Sequence, residues 1–323
     1  MIENFLNKFQ IFVYKTLRFF IKSERLDKNM SKRLSTKNKD ILEISSTIGC
    51  AMMCSYCPQE LHKANGKLFE KRLQIETFKK VLENIEKEIT IHWTGYSEAL
   101  GNKFFPDFSE LLRNNGNKQL LNTTLHGHSN CLEFLKKTKN FFQILLHLPD
   151  NKRYMKLKID QDYLTNLEEI VKFQSKNLKD NIHILVFGED FEPQVKKVID
   201  KLVLDGFIKK ENITIRNHIH TRAGDNLKKD LGKDFYTNTL KKNIAKHQKL
   251  FYCSNKRLNQ GVLIPDGRVS LCCHDYSLKY FKGDLKSTKL KKIYQNSDIF
   301  DKNNDFVNGN YLPCVNCEFY RSL

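Results

Sequence analysis

The sequence predicts an α/β protein built on a parallel sheet, and three observations carry that expectation. Six short apolar runs with strand character occur at 41–45, 90–94, 121–125, 143–148, 182–187 and 213–216. Amphipathic stretches at helical spacing, such as 75–86 and 194–204, lie between them. The runs are too short for ordinary helices and are flanked by turn-forming residues. Strands that alternate with helices in this way imply parallel βαβ units. The alternation alone permits either a doubly wound open sheet or a barrel.

In chain order, residues 1–38 form a basic amphipathic extension. Phe5, Leu6, Phe9, Phe12, Val13, Leu17 and Phe20 recur at helical spacing, with Lys8, Lys15, Arg18 and Lys22 among them. Such a helix can lie on an anionic membrane surface. It can equally dock on the protein's own core, since Ile11, Phe19 and Ile21 widen the apolar face beyond one stripe. Residues 39–224 carry the six strands, and the lysine- and asparagine-rich stretch 225–250 reads as a connection. Residues 251–323 form a smaller α+β unit. There Pro265-Asp266-Gly267 separates two apolar runs as a hairpin turn, and Gly283-Asp284-Leu285 precedes a helix-like segment at 290–294.

The chain has 55 Lys and Arg against 37 Asp and Glu, a net charge of +18, which favours anionic partners. Paired lysines such as Lys79-Lys80, Lys196-Lys197 and Lys241-Lys242 fit solvated helix faces. Aromatic and arginine residues do not interleave as in an RNA-binding signature, so nucleic acid is not the expected partner. No apolar run approaches the roughly 20 residues that span a bilayer. Nine cysteines without a signal peptide, at metal-site spacings, point to a reducing cytoplasm.

Cys50, Cys54 and Cys57 stand in a C-x3-C-x2-C run directly after the first strand. Three thiolates at this spacing can hold a cubane iron–sulfur cluster whose fourth iron stays open to a small molecule. A zinc knuckle is the alternative, although zinc sites more often join two C-x2-C pairs. The run resembles the motif of the radical S-adenosylmethionine (radical SAM) superfamily. That resemblance implies a partial (β/α)6 TIM-like barrel, a [4Fe–4S] cluster on Cys50, Cys54 and Cys57, and SAM chelating the open iron. It also implies cleavage of SAM to a 5′-deoxyadenosyl radical and places Tyr56 near the cluster and the adenine. The segment Thr94-Gly95-Tyr96-Ser97-Glu98-Ala99-Leu100 resembles the family's G-G-E-P motif, with Tyr96 or Ser97 in place of a glycine and Ala99 in place of proline. On that resemblance Gly95 and Glu98 hold the SAM ammonium, which needs acceptors; Glu98 can also simply cap the next helix. The segment 221–226 resembles one found after the sixth strand in related members, where Arg222 would bind the SAM carboxylate or a substrate acid.

Cys253, Cys272, Cys314 and Cys317 resemble the ligand set of a truncated SPASM module, or twitch domain, which implies one auxiliary [4Fe–4S] cluster; tetrahedral zinc also suits four thiolates. Cys272 and Cys273 are not both expected as ligands, because neighbours on a strand face opposite ways, and the G-x4-C spacing from Gly267 favours Cys272. Cys131, in an apparent helix start, reads as a buried cysteine. Histidines 126, 128, 147, 218 and 220 lie near strand ends, where one can accept a proton. The resemblance implies a radical SAM oxidoreductase that takes hydrogen from a small substrate, first a sugar or amino sugar, with phosphate-linked forms suiting the charge. Flavodoxin or ferredoxin would supply the electron. Ribosomal peptide maturation is the second reading; about 40 residues precede the first strand, leaving no recognisable peptide-binding domain. A non-catalytic metal protein that binds nucleic acid is the third.

Overall fold

The computed structural model describes residues 9–16, 24–36, 40–178, 180–216, 222–223, 251–278, 280–295, 314 and 317–322. The expected connection 225–250, His218, His220, and all of 221–226 except Arg222 and Ala223 lie outside the described residues. So do Phe5, Leu6, Leu17 and Phe20 of the N-terminal extension.

Six strands follow one another in space as in sequence: β1 (Ile41–Ile44), β2 (Thr90–Trp93), β3 (Gln119–Thr123), β4 (Phe141–His147), β5 (Ile182–Phe187) and β6 (Ile213–Arg216). Every neighbouring pair is parallel. Helices α1 (residues 9–16) and α2 (Glu24–Ser35) precede them. Between them come α3 (Gln59–Asn65), α4 (Ile75–Leu82), α5 (Phe105–Asn115), α6 (Ser129–Leu135), α7 (Gln161–Leu178) and α8 (Pro193–Leu204). Right-handed crossovers between sequentially ordered strands place every connecting helix on the same face of the sheet. The sheet therefore curls around its other face as a partial barrel, whereas a doubly wound sheet would reverse its strand order at a switch point.

The core lies between sheet and helices. Trp93, Phe105, Phe108, Leu121, Ile144 and Ile184 are buried there. One amide sits among them without cost, because Gln119 Oε1 accepts from Trp93 Nε1 at 2.9 Å and Ser109 Oγ at 3.0 Å. β3 ends at Thr123, two residues before the expected 125. The reason is local: Thr124 N donates to the Glu98 carboxylate and Leu125 N to Thr123 Oγ1, which turns the chain out of the sheet.

The C-terminal part contributes β7 (Phe251–Cys253), β8 (Gln260–Leu263), β9 (Arg268–Ser270), β10 (Phe281–Asp284), α9 (Leu290–Gln295) and β11 (Tyr320–Ser322). The hairpin at Pro265-Asp266-Gly267 joins β8 to β9, with Gly267 at φ +95 as the turn requires. Periodicity gave no hint that β8 pairs parallel with β1, from Ile41↔Gln260 to Ile44↔Leu263. The result is one nine-stranded sheet in the order β10-β9-β8-β1-β2-β3-β4-β5-β6. The end of α2 is tied to the same region, since Ser35 Oγ accepts from Cys253 N and Ser35 O from Leu258 N. On α1, Tyr14 is buried while Phe9, Phe12 and Val13 are exposed. No helix among the described residues is long and apolar enough to cross a membrane.

Candidate functional site

The chain leaves β1 into a loop pinned by backbone. Ile48 N donates to Lys71 O at 2.9 Å, and Thr47 and Arg72 form an antiparallel bridge. Gly49 at φ +85 and Met53 at φ +44 then reverse the loop so that Cys50, Cys54 and Cys57 line one cavity of about 360 Å³. His147, Phe187 and Arg216, the last residues of β4, β5 and β6, line it too, so it opens at the carboxyl ends of the strands. Burial pushes the Cys50 thiol up to about 11. Cys54 is raised well above its ordinary value by burial and then by the charge of Cys57. Two buried thiols, Cys50 and Cys54, whose ionisation the protein alone opposes suit a centre that supplies positive charge when it binds. The donor set fits a three-cysteine cluster.

Tyr56 is 2% exposed, its hydroxyl 3.0 Å from His147 Nε2 and its ring nearly parallel to that imidazole at 5.6 Å. Burial, with Arg222 nearby, pushes His147 down to about 3, so its ring is neutral at physiological pH. The folded chain therefore binds this proton less tightly than the unfolded chain, and stability is lost as pH falls from about 6.5 towards 3. In urea titrations across that window, His147→Gln is expected to flatten the slope by at most about 1.4 kcal/mol per pH unit. An unchanged slope would contradict the buried neutral ring.

Gly95 follows β2 at φ +108, and a Cβ there would lie 2.9 Å from Val262 Cγ1 and 3.3 Å from Ser45 Cβ. Only glycine suits both the backbone and the space. Glu98 lines the cavity but is bound on all sides. Its carboxylate accepts from Thr123 Oγ1 at 2.6 Å, Thr124 N and Thr124 Oγ1 at 2.7 Å each, and Leu100 N at 3.3 Å. Those four donors match the lone-pair sites of a carboxylate. Arg222 also lines the cavity, its guanidinium carbon 5.6 Å from the centre of the Tyr276 ring and its Nε buried without a hydrogen bond among the described residues.

Sequence reasoning did not single out Glu43, Arg257, Gln260 and Tyr276, which also line the cavity. Glu43 Oε1 accepts from Arg257 Nη1 at 2.9 Å and from Gln260 Nε2. A lone charge inside the apolar run Ile41-Leu42-Glu43-Ile44 was the available signal, because such a residue, when buried, needs a partner. Tyr276 bridges the two cysteine groups: its hydroxyl is 3.7 Å from Cys57 Sγ, and its ring packs against Tyr96, whose own hydroxyl donates to Cys272 O at 2.8 Å.

Cys272 and Cys273 are electrostatic neighbours of one another. Both lie past the end of β9, in a turn closed by Asp275 N donating to Cys272 O, so strand alternation does not separate them. Cys273 lines the cavity, while the Cys272 thiol is raised well above its ordinary value by burial and then by the charges of Cys273, Cys317 and Cys253. Cys314 is raised by burial and then by Cys272, Cys317 and Cys253; Cys317 is pushed up to about 12 by burial, with the charge of Cys253 adding to it. The four expected auxiliary thiols are thus electrostatic neighbours. Lys282 stands beside them, lowered to about 8 by burial and drawn back up by Cys272, Cys314 and Cys253. Among the described residues no three His, Cys, Asp or Glu side chains are close enough for a single ion. Cys131 is fully buried in α6, its thiol directed at Asn102 O.

No family model matches the chain, and no curated protein matches it. Among solved structures, Streptococcus suis SuiB bound to precursor peptide SuiA aligns over 91% of this chain and 73% of its own, at 11% identity and TM-score 0.51. BtrN in complex with AdoMet and 2-DOIA aligns over 89% of this chain and 95% of its own, at 14% identity and TM-score 0.46. Native anSMEcpe with bound AdoMet aligns over 83% of this chain and 82% of its own, at 17% identity and TM-score 0.45. The six-stranded partial barrel, with three cysteines in the loop after β1 facing its carboxyl end, has the fold of the radical SAM enzymes.

Proposed function

We propose that the protein is a radical SAM enzyme acting on a small polar substrate in the cavity at the carboxyl end of the barrel. The observation that carries this reading is the convergence of Cys50, Cys54 and Cys57 on that cavity, opposite His147, Arg216 and Arg222. The three thiolates would hold a [4Fe–4S] cluster and the four C-terminal thiols an auxiliary one. When bound, the first cluster and SAM together supply reductive cleavage of SAM to a radical that abstracts hydrogen. The chain's own part is placement. Gly95 gives close backbone approach, Tyr56 and Phe187 wall the cavity with aromatic rings 5.2 Å apart, and Arg222 offers a guanidinium to an acid group. Glu43, Gln260 and Arg257 make the cavity polar, which suits a sugar or amino sugar undergoing oxidation. A peptide substrate is the second reading, favoured by the likeness to SuiB, a structure bound to a precursor peptide. Reducing cytoplasm suits the free cysteines, and the exposed Phe9, Phe12 and Val13 of α1 suit peripheral membrane contact.

The test is anaerobic reconstitution followed by dithionite-driven SAM cleavage, read as 5′-deoxyadenosine by chromatography. Amino sugars and short peptides are then compared for deuterium transfer from labelled substrate into that product. Cleavage with transfer from a sugar supports the first reading, and transfer from a peptide the second. No cleavage by reduced, iron-loaded protein overturns both.

A further inference from the structure

Tyr276 belongs to the C-terminal part of the chain but ends inside the first cysteine site. It lies in the turn after β9, four residues beyond Cys272, and is buried. Its hydroxyl stands 3.7 Å from Cys57 Sγ, a contact between residues 219 positions apart. Cys57 packs there against an apolar cluster that includes Tyr96, Val262, Ile264 and Leu278, where water screens a polar contact little.

The hydroxyl is held at that sulfur from several directions. The turn that carries it closes around Asp275: Asp275 N donates to Cys272 O, Leu278 N to Asp275 O, and Ser277 Oγ to the Asp275 carboxylate at 2.7 Å. The Tyr276 ring meets Tyr96 edge-on at 5.0 Å and His62 edge-on at 5.9 Å. Tyr96 is itself fixed at both ends. Its hydroxyl bonds Ser270 Oγ and Cys272 O, and its carbonyl accepts from Gln59 Nε2 at 2.7 Å, two residues past Cys57. Tyr96 thus ties the turn of Tyr276 to the loop of Cys57. The Arg222 guanidinium carbon, 5.6 Å from the centre of the Tyr276 ring, draws on the ring's electrons and makes its hydroxyl a better donor. Packing alone would be served by phenylalanine. The hydroxyl instead meets a sulfur that, as a cluster ligand, carries no proton and can only accept. A hydrogen bond to a ligating sulfur offsets part of the negative charge that an added electron brings, and so favours the reduced state.

Resting on the proposed function, we infer that Tyr276 acts through Cys57: its hydroxyl donates to Cys57 Sγ and raises the reduction potential of the cluster held by Cys50, Cys54 and Cys57. The C-terminal part of the chain thereby sets how readily the first site takes its electron. No bond to the chain forms or breaks.

The test is an anaerobic redox titration of the reconstituted holoenzyme without SAM, followed by electron paramagnetic resonance. The signal that changes shape in a parallel sample given SAM reports the first cluster, whose open iron SAM would bind. Tyr276→Phe is expected to disfavour reduction of that cluster about tenfold, a fall of about 59 mV in its one-electron midpoint. Incorporation of 3-fluorotyrosine at position 276, a stronger donor of nearly the same shape, should move the midpoint upward, and it decides the matter if Tyr276→Phe does not load iron. Tyr294→Phe removes another buried hydroxyl of the C-terminal part, one bonded to Ile41 O and Gly261 N and outside the cavity lining, and should keep the wild-type midpoint. Equal midpoints in wild type and both position-276 proteins overturn the inference and leave the radical enzyme reading standing. An equal fall in Tyr276→Phe and Tyr294→Phe also overturns it, because loosened packing would then be the cause. A wild type with no SAM-sensitive signal under strong reduction overturns the radical enzyme reading itself, and this inference with it.

Discussion

Simultaneous replacement of Cys50, Cys54 and Cys57 by alanine is expected to abolish dithionite-driven SAM cleavage and to lower the reconstituted iron content from about eight to about four per chain. The three thiols converge on one cavity, and no histidine or carboxylate stands ready to replace them as a group of three among the described residues. The iron proposed for Cys253, Cys272, Cys314 and Cys317 is expected to stay, because those thiols influence one another and the substitutions leave all four in place. Iron and sulfide counting with deoxyadenosine analysis measures both numbers. Four irons in the wild type, with cleavage retained, would leave the C-terminal thiols to zinc or to packing.

The largest expected effect on stability belongs to Glu98→Ala. The change strips the acceptor from Thr123 Oγ1, Thr124 N, Thr124 Oγ1 and Leu100 N, all buried or nearly so, and each orphaned donor costs about 1–3 kcal/mol where water cannot replace the carboxylate. Allowing for relaxation, we expect a loss of about 3–5 kcal/mol in urea unfolding of the apoprotein. Glu98→Gln should cost less, since one oxygen survives, although its amide then faces two donors. An apoprotein indifferent to Glu98→Ala would mean that the carboxylate serves only a ligand.

How far the sequence could be read follows from which forces are local. Strands β5 and β6 matched their expected residues, since apolar runs bounded by turns carry their own signal. The three-cysteine loop was legible because its spacing is its chemistry. The end of β3 was not, because Thr124 is drawn out of the sheet by Glu98, 26 residues away. Glu98 itself was read as a ligand or cap, and its tie to the residues after β3 depends on a contact that no local pattern encodes. Glu43, Arg257 and Tyr276 stayed hidden for the same reason: each gains its role from residues more than 200 positions away.

The pairing of β8 with β1 also governs how the chain can be made. Glu43 and Gln260 meet across that seam although they stand 217 residues apart. At synthesis rates of 5–20 residues per second, one edge of β1 waits about 10–40 s for its partner, while β2 onwards can already assemble on the other edge. An exposed parallel edge is a template for pairing with other chains. The nascent barrel is thus most open to misassembly before residues near 260 leave the ribosome, and closure of this seam is the step at which a chaperone would most improve the yield of folded protein.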